Sequence, residues 1–402
     1  MEIVVMAIEK FTIARNDDIY ECFPYICRSR TGRIILTYRE SNGHVASEFC
    51  RLIVRVSDDA GHTWSEPQVI RDEDKSTGVL TTWNCPKIQQ LKDGRILLLC
   101  DTYLFPPGEW GEGEANCHIV LWFSDDDGES WSNPIPTPVK GICPDIVTET
   151  DDDRWLLPSN VTNPKTGQSI QNITTSHDEG QTWEAPLTIF DNPDYGLGEA
   201  TIVPCPDGEL VVYLREDLGQ PLQKMISKDT GYQWEGPYDT LNPAAHGMPV
   251  AGLTQDGFML ITGRFGLQSC WRVDMSAETW GERLARRTIV IPRVPANEAF
   301  IARRQPGPSE LATDDEVIVA AGGSSVHTFA FLEPLDSALN PNKGAQKGLL
   351  LPLDLDANNL GADSGYAAWV EYERGKFLAV NYINDDAPMA QIRGYRFGLE
   401  DF

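Results

Sequence analysis

Glu199 and Tyr366 each stand one residue before an alanine, Ala200 and Ala367, that marks the same place in a repeated unit. A phenol is a poor nucleophile at its ordinary pKa of about 10. A carboxylate beside it can take its proton as a general base. The same register puts Glu21, Asn84, Cys143 and His246 at strand starts. It puts Arg39, Asp101, Asn160, Arg215, Arg264 and Asn381 or Tyr382 at the far ends of the strands that follow. Guanidiniums, amides and carboxylates gathered in one ring suit a sugar that carries an acidic group. A rim without function would more often carry Ser, Asp, Gly and Lys.

The elements that must position these groups follow from the repeat. Each unit is an apolar strand, a turn and a second apolar strand. The turn glycines are Gly32, Gly94, Gly208, Gly257 and Gly375. Eight residues before each lie Pro24, Pro86, Ala200, Pro249 and Ala367, and seven after each lie Arg39, Asp101, Arg215, Arg264 and Tyr382. A unit around Pro144 to Asn160 fits with Asp153-Arg154 at its turn, and a weaker one runs from Ala299 to Gly323. Short β-rich runs such as Arg95-Ile-Leu-Leu-Leu-Cys recur, and no long helical pattern is present. Units of about 50 to 65 residues with several short strands indicate an all-β propeller of four-stranded blades. Six to seven blades are expected, with seven slightly preferred, in one domain over residues 1–402. Met1 to Arg15 alternates apolar and polar and should complete the last blade, closing the ring. In such a ring, inner-strand starts and second-strand ends converge on one mouth.

A second repeat is interleaved with the first. Ser57-Asp58-Asp59-Ala60-Gly61-His62-Thr63-Trp64 has the form Ser-x-Asp-x-Gly-x-x-Trp, and it recurs at Ser124 to Trp131, Ser176 to Trp183 and Ser227 to Trp234. A degenerate copy lies at Ser276 to Trp280. Asp can close a turn by accepting backbone N–H groups about two residues on. Gly supplies positive φ, and Trp plugs the hairpin. These are turn residues rather than catalytic ones. The stretch resembles the Asp-box of the sialidase (neuraminidase) superfamily, whose BNR-repeat members are β-propellers. Fold alone does not give activity.

The resemblance extends to the ring. Gly198-Glu199-Ala200-Thr-Ile-Val, followed by Asp207-Gly208 and the strand ending in Arg215, resembles the segment with the family's catalytic Glu and one substrate arginine. Ser364-Gly365-Tyr366-Ala367-Ala-Trp resembles the segment with its nucleophilic tyrosine. It implies an exo-acting glycosidase on a terminal, acidic sugar, with Tyr366 as nucleophile, Glu199 as its base and Arg215 as anchor. Tyrosine nucleophiles are an exception among glycosidases. The departures matter too. The family's first arginine would fall in Glu21-Cys22-Phe23-Pro24-Tyr25-Ile26, which has none. The third has no clear place, Ser324-Ser325-Val326-His327 being the nearest stretch. Arg39 and Arg264 could form a different clamp, with Asp101 and Asn84 as further substrate-binding groups. The loop expected to carry the acid/base Asp reads Glu40-Ser-Asn-Gly-His44-Val-Ala-Ser-Glu48, so Glu48 or His44 would have to donate the proton.

Composition narrows the partners. Sixty acidic against 33 basic residues give a net charge of −27, which speaks against nucleic acid and anionic membranes. No apolar run approaches the roughly 20 residues of a membrane span. Nine scattered cysteines and six scattered histidines suggest no disulfide framework, metal site or cofactor. The start reads as a strand and not a leader, so a cytoplasmic protein is expected, or a secreted one if a leader has been removed. Asn160-Val-Thr and Asn172-Ile-Thr match the glycosylation pattern. Two alternatives stay open. One is a seven-bladed lyase or rhamnose–glucuronate-cleaving enzyme that moves protons with His246 or Tyr366 beside Arg215 or Arg264. The other is a glycan-binding propeller without catalysis.

Overall fold

The computed structural model describes residues 8–105 (without 75 and 77), 117–217, 221–242, 247–267, 325–355, 363–384 and 387–402, and three short strands between 270 and 320. Its second strands are buried over most of their length, and in Ile34–Ser41 all eight residues are enclosed. A sheet covered on both faces needs continuous apolar runs rather than alternation. The unbroken Ile/Leu/Val runs are therefore the signature of blades stacked face to face.

Six blades form the ring, each read from the axis outward. Blade 1 is Tyr20–Arg28, Ile34–Ser41, Phe49–Ser57 and Gln68–Asp74. In blade 2 the inner strand is split into Leu80–Trp83 and Lys87–Gln90, followed by Ile96–Phe105, His118–Ser124 and Ile135–Lys140. Blade 3 is Thr148–Glu149, Trp155–Thr162, Ser169–Ser176 and Leu187–Phe190. Blade 4 is Leu197–Pro204, Leu210–Glu216, Gln223–Ser227 and Glu235–Asp239. Blade 5 is Val250–Leu253, Phe258–Leu267, Ser325–Pro334 and Leu349–Leu355. Blade 6 is Ser364–Glu373, Lys376–Ile383 and Gln391–Gly398, and Glu9–Ala14 pairs antiparallel with the last of these. The N-terminal strand thus closes the ring as expected.

The preference for a seventh blade gives way to six. The weak unit falls between the second and third strands of blade 5, which pair with each other from Phe258↔Pro334 to Leu267↔Ser325. The described parts of that insertion, Cys270–Asp274, Thr288–Val290 and Glu316–Ala320, form a separate three-stranded sheet. Two strand-rich runs looked like a blade because sequence shows strand content and not which strand pairs with which. The degenerate box at 276–280 lies outside the described residues.

The four complete boxes sit on the third-to-fourth-strand turns of blades 1 to 4, at the ring face opposite the mouth. Asp59 accepts from the N–H and hydroxyl of Thr63 at 2.8 and 2.7 Å, four residues on rather than two. Ser57 Oγ donates to Asp59 and accepts from Gly61 N–H, both at 2.8 Å. The same bonds recur around Asp126 and Asp178. Around Asp229 they recur with Gln233 donating its backbone N–H. Gly61 is required twice: its φ is +81°, and a Cβ there would lie 2.5 Å from Leu378 of blade 6. Each box therefore also seals its blade against the preceding one.

Candidate functional site

At the mouth the inner strands are irregular. The pairing of inner with second strand slips between Cys22 and Tyr25, between Gly198 and Thr201, and between Gly365 and Ala368. Each slip holds a non-glycine residue in the left-handed region: Phe23 at φ 54°, Glu199 at 47° and Tyr366 at 55°. Cys143 of blade 3 joins them at 44°. Such a conformation costs on the order of 1 kcal/mol or more per residue. A bulge re-aims a side chain that regular alternation would send into a sheet face. Four blades therefore share one device, and the register residue that follows (Pro24, Pro144, Ala200, Ala367) marks it.

The bulges bring Glu199 and Tyr366 together. Tyr366 Oη donates to Glu199 Oε1 at 2.8 Å. Arg215 Nη1 donates to both Glu199 oxygens at 2.8 Å and lies 3.4 Å from the Tyr366 oxygen. Its Nε donates to Asp217 at 2.8 Å. Burial alone would raise the Glu199 pKa. The Arg215 charge and hydrogen bonds, the Tyr366 hydroxyl and the Arg264 charge outweigh it and hold the carboxyl below its ordinary value. Burial, the Cys143 thiol and the Glu199 charge push Tyr366 well above the ordinary phenol value, against Arg215. At rest the pair is thus a carboxylate accepting a hydrogen bond from a neutral phenol.

Arg264 comes from the mouth end of blade 5's second strand. It donates to the Ser364 carbonyl, lies 3.9 Å from Asp363 and has its guanidinium carbon 6.0 Å from the Tyr366 ring centre. Gly247 and Gly365 leave room for it: a Cβ on either would lie 2.6 or 2.9 Å from the Arg264 side chain. Of the stretch 324–327, Ser325 to His327 open blade 5's third strand, and Ser324 lies outside the described residues. There His327 is buried, and burial lowers its pKa.

Arg39, Asn84 and Asp101 spend their polar groups on the protein. Arg39 is fully enclosed and donates to Asn84 Oδ1 at 3.2 Å and to the carbonyls of Gly43 and His44. Asn84 donates to Asp101 at 2.9 Å, and Asp101 also accepts the backbone N–H groups of Cys85 and Cys143. Burial raises the Asp101 pKa against these donors. The trio pins the inner strands of blades 2 and 3 and the underside of the blade 1 loop. Glu21 is also enclosed, its pKa raised to about 8 by burial and by Glu40. Asn160 is buried and bonds Ile142 and the Glu199 N–H through blade 3. Glu48 is exposed on the loop, whereas His44 reaches the mouth. His246 lies outside the described residues.

Three contributors lie outside the sequence-derived site set. Phe23 forms an aromatic wall 5.2 Å from Tyr366 and 5.2 Å from Tyr382, ring centre to ring centre. Its place directly before Pro24 was signal enough; only its lack of a polar group hid it. Asp363 accepts from Tyr382 Oη at 3.0 Å, from Tyr20 Oη and from His44. It precedes the inner strand of blade 6 in no motif. Lys87, buried in blade 2, has its ammonium 5.6 Å from the Tyr366 ring centre. Among the described residues, no group of three or more His, Cys, Asp or Glu is arranged to hold a metal ion.

Residues 52–285 match the BNR repeat-like domain. The chain belongs to that family. An exo-alpha-sialidase of Aspergillus fumigatus is 26% identical over 245 residues, covering 52% of this chain and 54% of the fungal protein, so the match spans about half the length of that relative. A protein of unknown function from Dyadobacter fermentans superposes with a TM-score of 0.64 at 18% identity, covering 98% of this chain and 99% of its own. A Hadza microbial sialidase gives 0.58 at 17% identity over 95% and 66%. The chain is a six-bladed BNR propeller of the sialidase type.

Proposed function

We propose that this BNR propeller hydrolyses the glycosidic bond of a terminal sugar, with Tyr366 as nucleophile and Glu199 as its base. The observation that carries the reading is the 2.8 Å hydrogen bond from the Tyr366 hydroxyl to Glu199 at the mouth. Attack by the phenol oxygen on the anomeric carbon passes its proton to Glu199. Charge that leaves the phenol stays between Arg215 and Arg264. The same guanidiniums face an acidic group on the sugar, two where the sialidase pattern uses three, with Phe23 in the blade 1 position. The relative described as an exo-alpha-sialidase supports a glycan as the partner. A loop residue, His44 or Glu48, supplies the proton for the leaving oxygen. The lyase reading drew support from a seven-blade count and from the missing family arginines; the count is six.

The test is a product assay on aryl sialosides, aryl glycosides of neutral sugars and glucuronan-type oligosaccharides, in wild type and Tyr366→Phe. Free sugar that vanishes in the variant is the expected result. An unsaturated uronate without free sugar would move the chain to the lyases. Binding with no product at all would make it a lectin-like propeller.

A further inference from the structure

We infer that His44 and Asp363 form an acid–base dyad at the mouth, His44 handing its Nε2 proton to the leaving oxygen and Asp363 positioning it. The inference rests on the hydrolase reading and names the proton donor which that reading leaves open between two residues.

His44 is built in from below and from the side. Its loop is tied by Asn42, whose Oδ1 accepts from the N–H groups of Ser47 and Glu48 at 2.9 and 3.0 Å. The enclosed Arg39 guanidinium holds the Gly43 and His44 carbonyls. The imidazole stands edge-on to Phe23 at 5.3 Å and to Tyr20 at 6.3 Å. Phe23 also touches Tyr366, which brings both groups within reach of one bound sugar. The His44 side chain is still 50% exposed, so a ligand can meet it. Glu48 has an anchored backbone but an exposed side chain.

The orientation of the ring follows from its partner. Nδ1 lies 2.7 Å from Asp363 Oδ2. A carboxylate only accepts, so Nδ1 carries a hydrogen and Nε2 is the nitrogen left for the substrate. Asp363 is itself fixed by the Tyr20 and Tyr382 hydroxyls and by its N–H on Asn384 Oδ1 at 2.9 Å. Burial raises its pKa, but His44, Tyr20 and Arg264 bring it below the ordinary value, so it stays ionised. The charged and titratable groups around the imidazole are therefore Asp363 and Tyr382 of blade 6, Tyr20 and Arg39 of blade 1 and, through Asp363, Arg264 of blade 5.

The steps balance. Tyr366 Oη bonds to the anomeric carbon as its proton passes to Glu199. The bond to the leaving oxygen breaks, and that oxygen takes the Nε2 proton of the His44 imidazolium. Neutral His44 then removes a proton from water, whose oxygen bonds to the anomeric carbon. Tyr366 departs and recovers its proton from Glu199. One water is consumed and two hydroxyls are formed.

Two measurements on the full chain test the dyad. The first follows the histidine ring nitrogens by NMR, with His44→Gln assigning the signal. Asp363→Asn should loosen the preference of His44 for a hydrogen on Nδ1, because an amide, unlike a carboxylate, can also donate. The other five histidines report whether the variant is folded. The second compares a nitrophenyl glycoside with an alkyl glycoside of the same sugar. His44→Gln should slow the alkyl substrate about a hundred- to ten-thousandfold and flatten the basic limb of its pH profile. It should spare bond breaking in the activated substrate, and the same pattern from Glu48→Gln instead would overturn the assignment. If Tyr366→Phe kills turnover but His44→Gln slows both substrates equally, or the His44 tautomer is unchanged in Asp363→Asn, the dyad alone is wrong. If Tyr366→Phe remains active, the hydrolase reading falls, and with it the catalytic role of the dyad.

Discussion

The two faces of this ring are built on opposite principles. On the box face, four turns use one sequence pattern and close on nearly the same hydrogen bonds. On the mouth face, the same left-handed backbone conformation recurs in blades 1, 3, 4 and 6, yet it presents Phe23, Cys143, Glu199 and Tyr366. One face repeats side chains because each blade meets the same packing problem. The other repeats only a backbone shape and varies what it displays. Identical residues thus report stability, and different residues in an identical conformation report chemistry. The strained φ values sit wholly with the second group among inner-strand residues, whereas the box turns place a left-handed residue before a glycine.

The sharpest way to break that contrast is to alter the two faces separately. Tyr366→Phe removes one oxygen from the mouth and no packing. Turnover should fall by on the order of 10³-fold or more, with the melting temperature unchanged. Glu199→Gln should cost turnover about 10²- to 10⁴-fold. It should also lower the melting temperature, because Arg215 loses the carboxylate that accepts both its Nη1 bonds. If Glu199→Gln melted like wild type, the pair would be catalytic only and the mouth would hold no structural share.

The box face should answer in the reverse sense. Trp183 is half-buried, packs against Gly180 and donates its indole N–H to the Gly180 carbonyl at 3.0 Å. Trp183→Ala should cost about 2 to 4 kcal/mol of unfolding free energy, toward the lower part of the range for large-to-small core changes because the ring is only partly enclosed. Turnover measured well below the melting transition should not move. A loss of turnover with intact folding would mean that blade 3 transmits box geometry to the mouth.

This division also explains what could be read from sequence. The boxes and the turn glycines gave the propeller because turns need particular residues, and particular residues are visible. Glu199, Arg215 and Tyr366 were legible because register and family resemblance agreed on them. Arg39 shared Arg215's register, yet it is enclosed beneath the 42–48 loop, and burial by a loop leaves no trace in a repeat. Phe23 occupied the same place as Glu199 and was passed over for Glu21, since a search for polar chemistry skips an aromatic wall. Asp363 was invisible because its role exists only through His44, more than 300 residues away in the chain. The seventh unit was misleading for a related reason: the insertion has strands of its own, and only pairing in space shows that blade 5 closes around it.

The smallest effect tests whether the boxes are interchangeable. Asp59 accepts both an N–H and a hydroxyl from Thr63, but Asp229 faces Gln233 and receives only the N–H from that residue. Asp59→Ala should therefore destabilise more than Asp229→Ala, by an amount on the order of 1 kcal/mol or less at these exposed turns. The Thr63 bonds hold the Asp59 carboxyl at about 2, against about 3.9 in an unfolded chain. A depressed pKa contributes stability that is fully present above the unfolded value and is lost as pH falls through the folded one. The gap between wild type and Asp59→Ala, followed by denaturant melts, should thus narrow between about pH 4 and pH 2. Taking the difference cancels the other acidic groups that titrate in that window. A gap that stayed constant down to pH 2 would mean that the turn is held by Ser57 and the glycine, with the carboxylate contributing nothing as an ion.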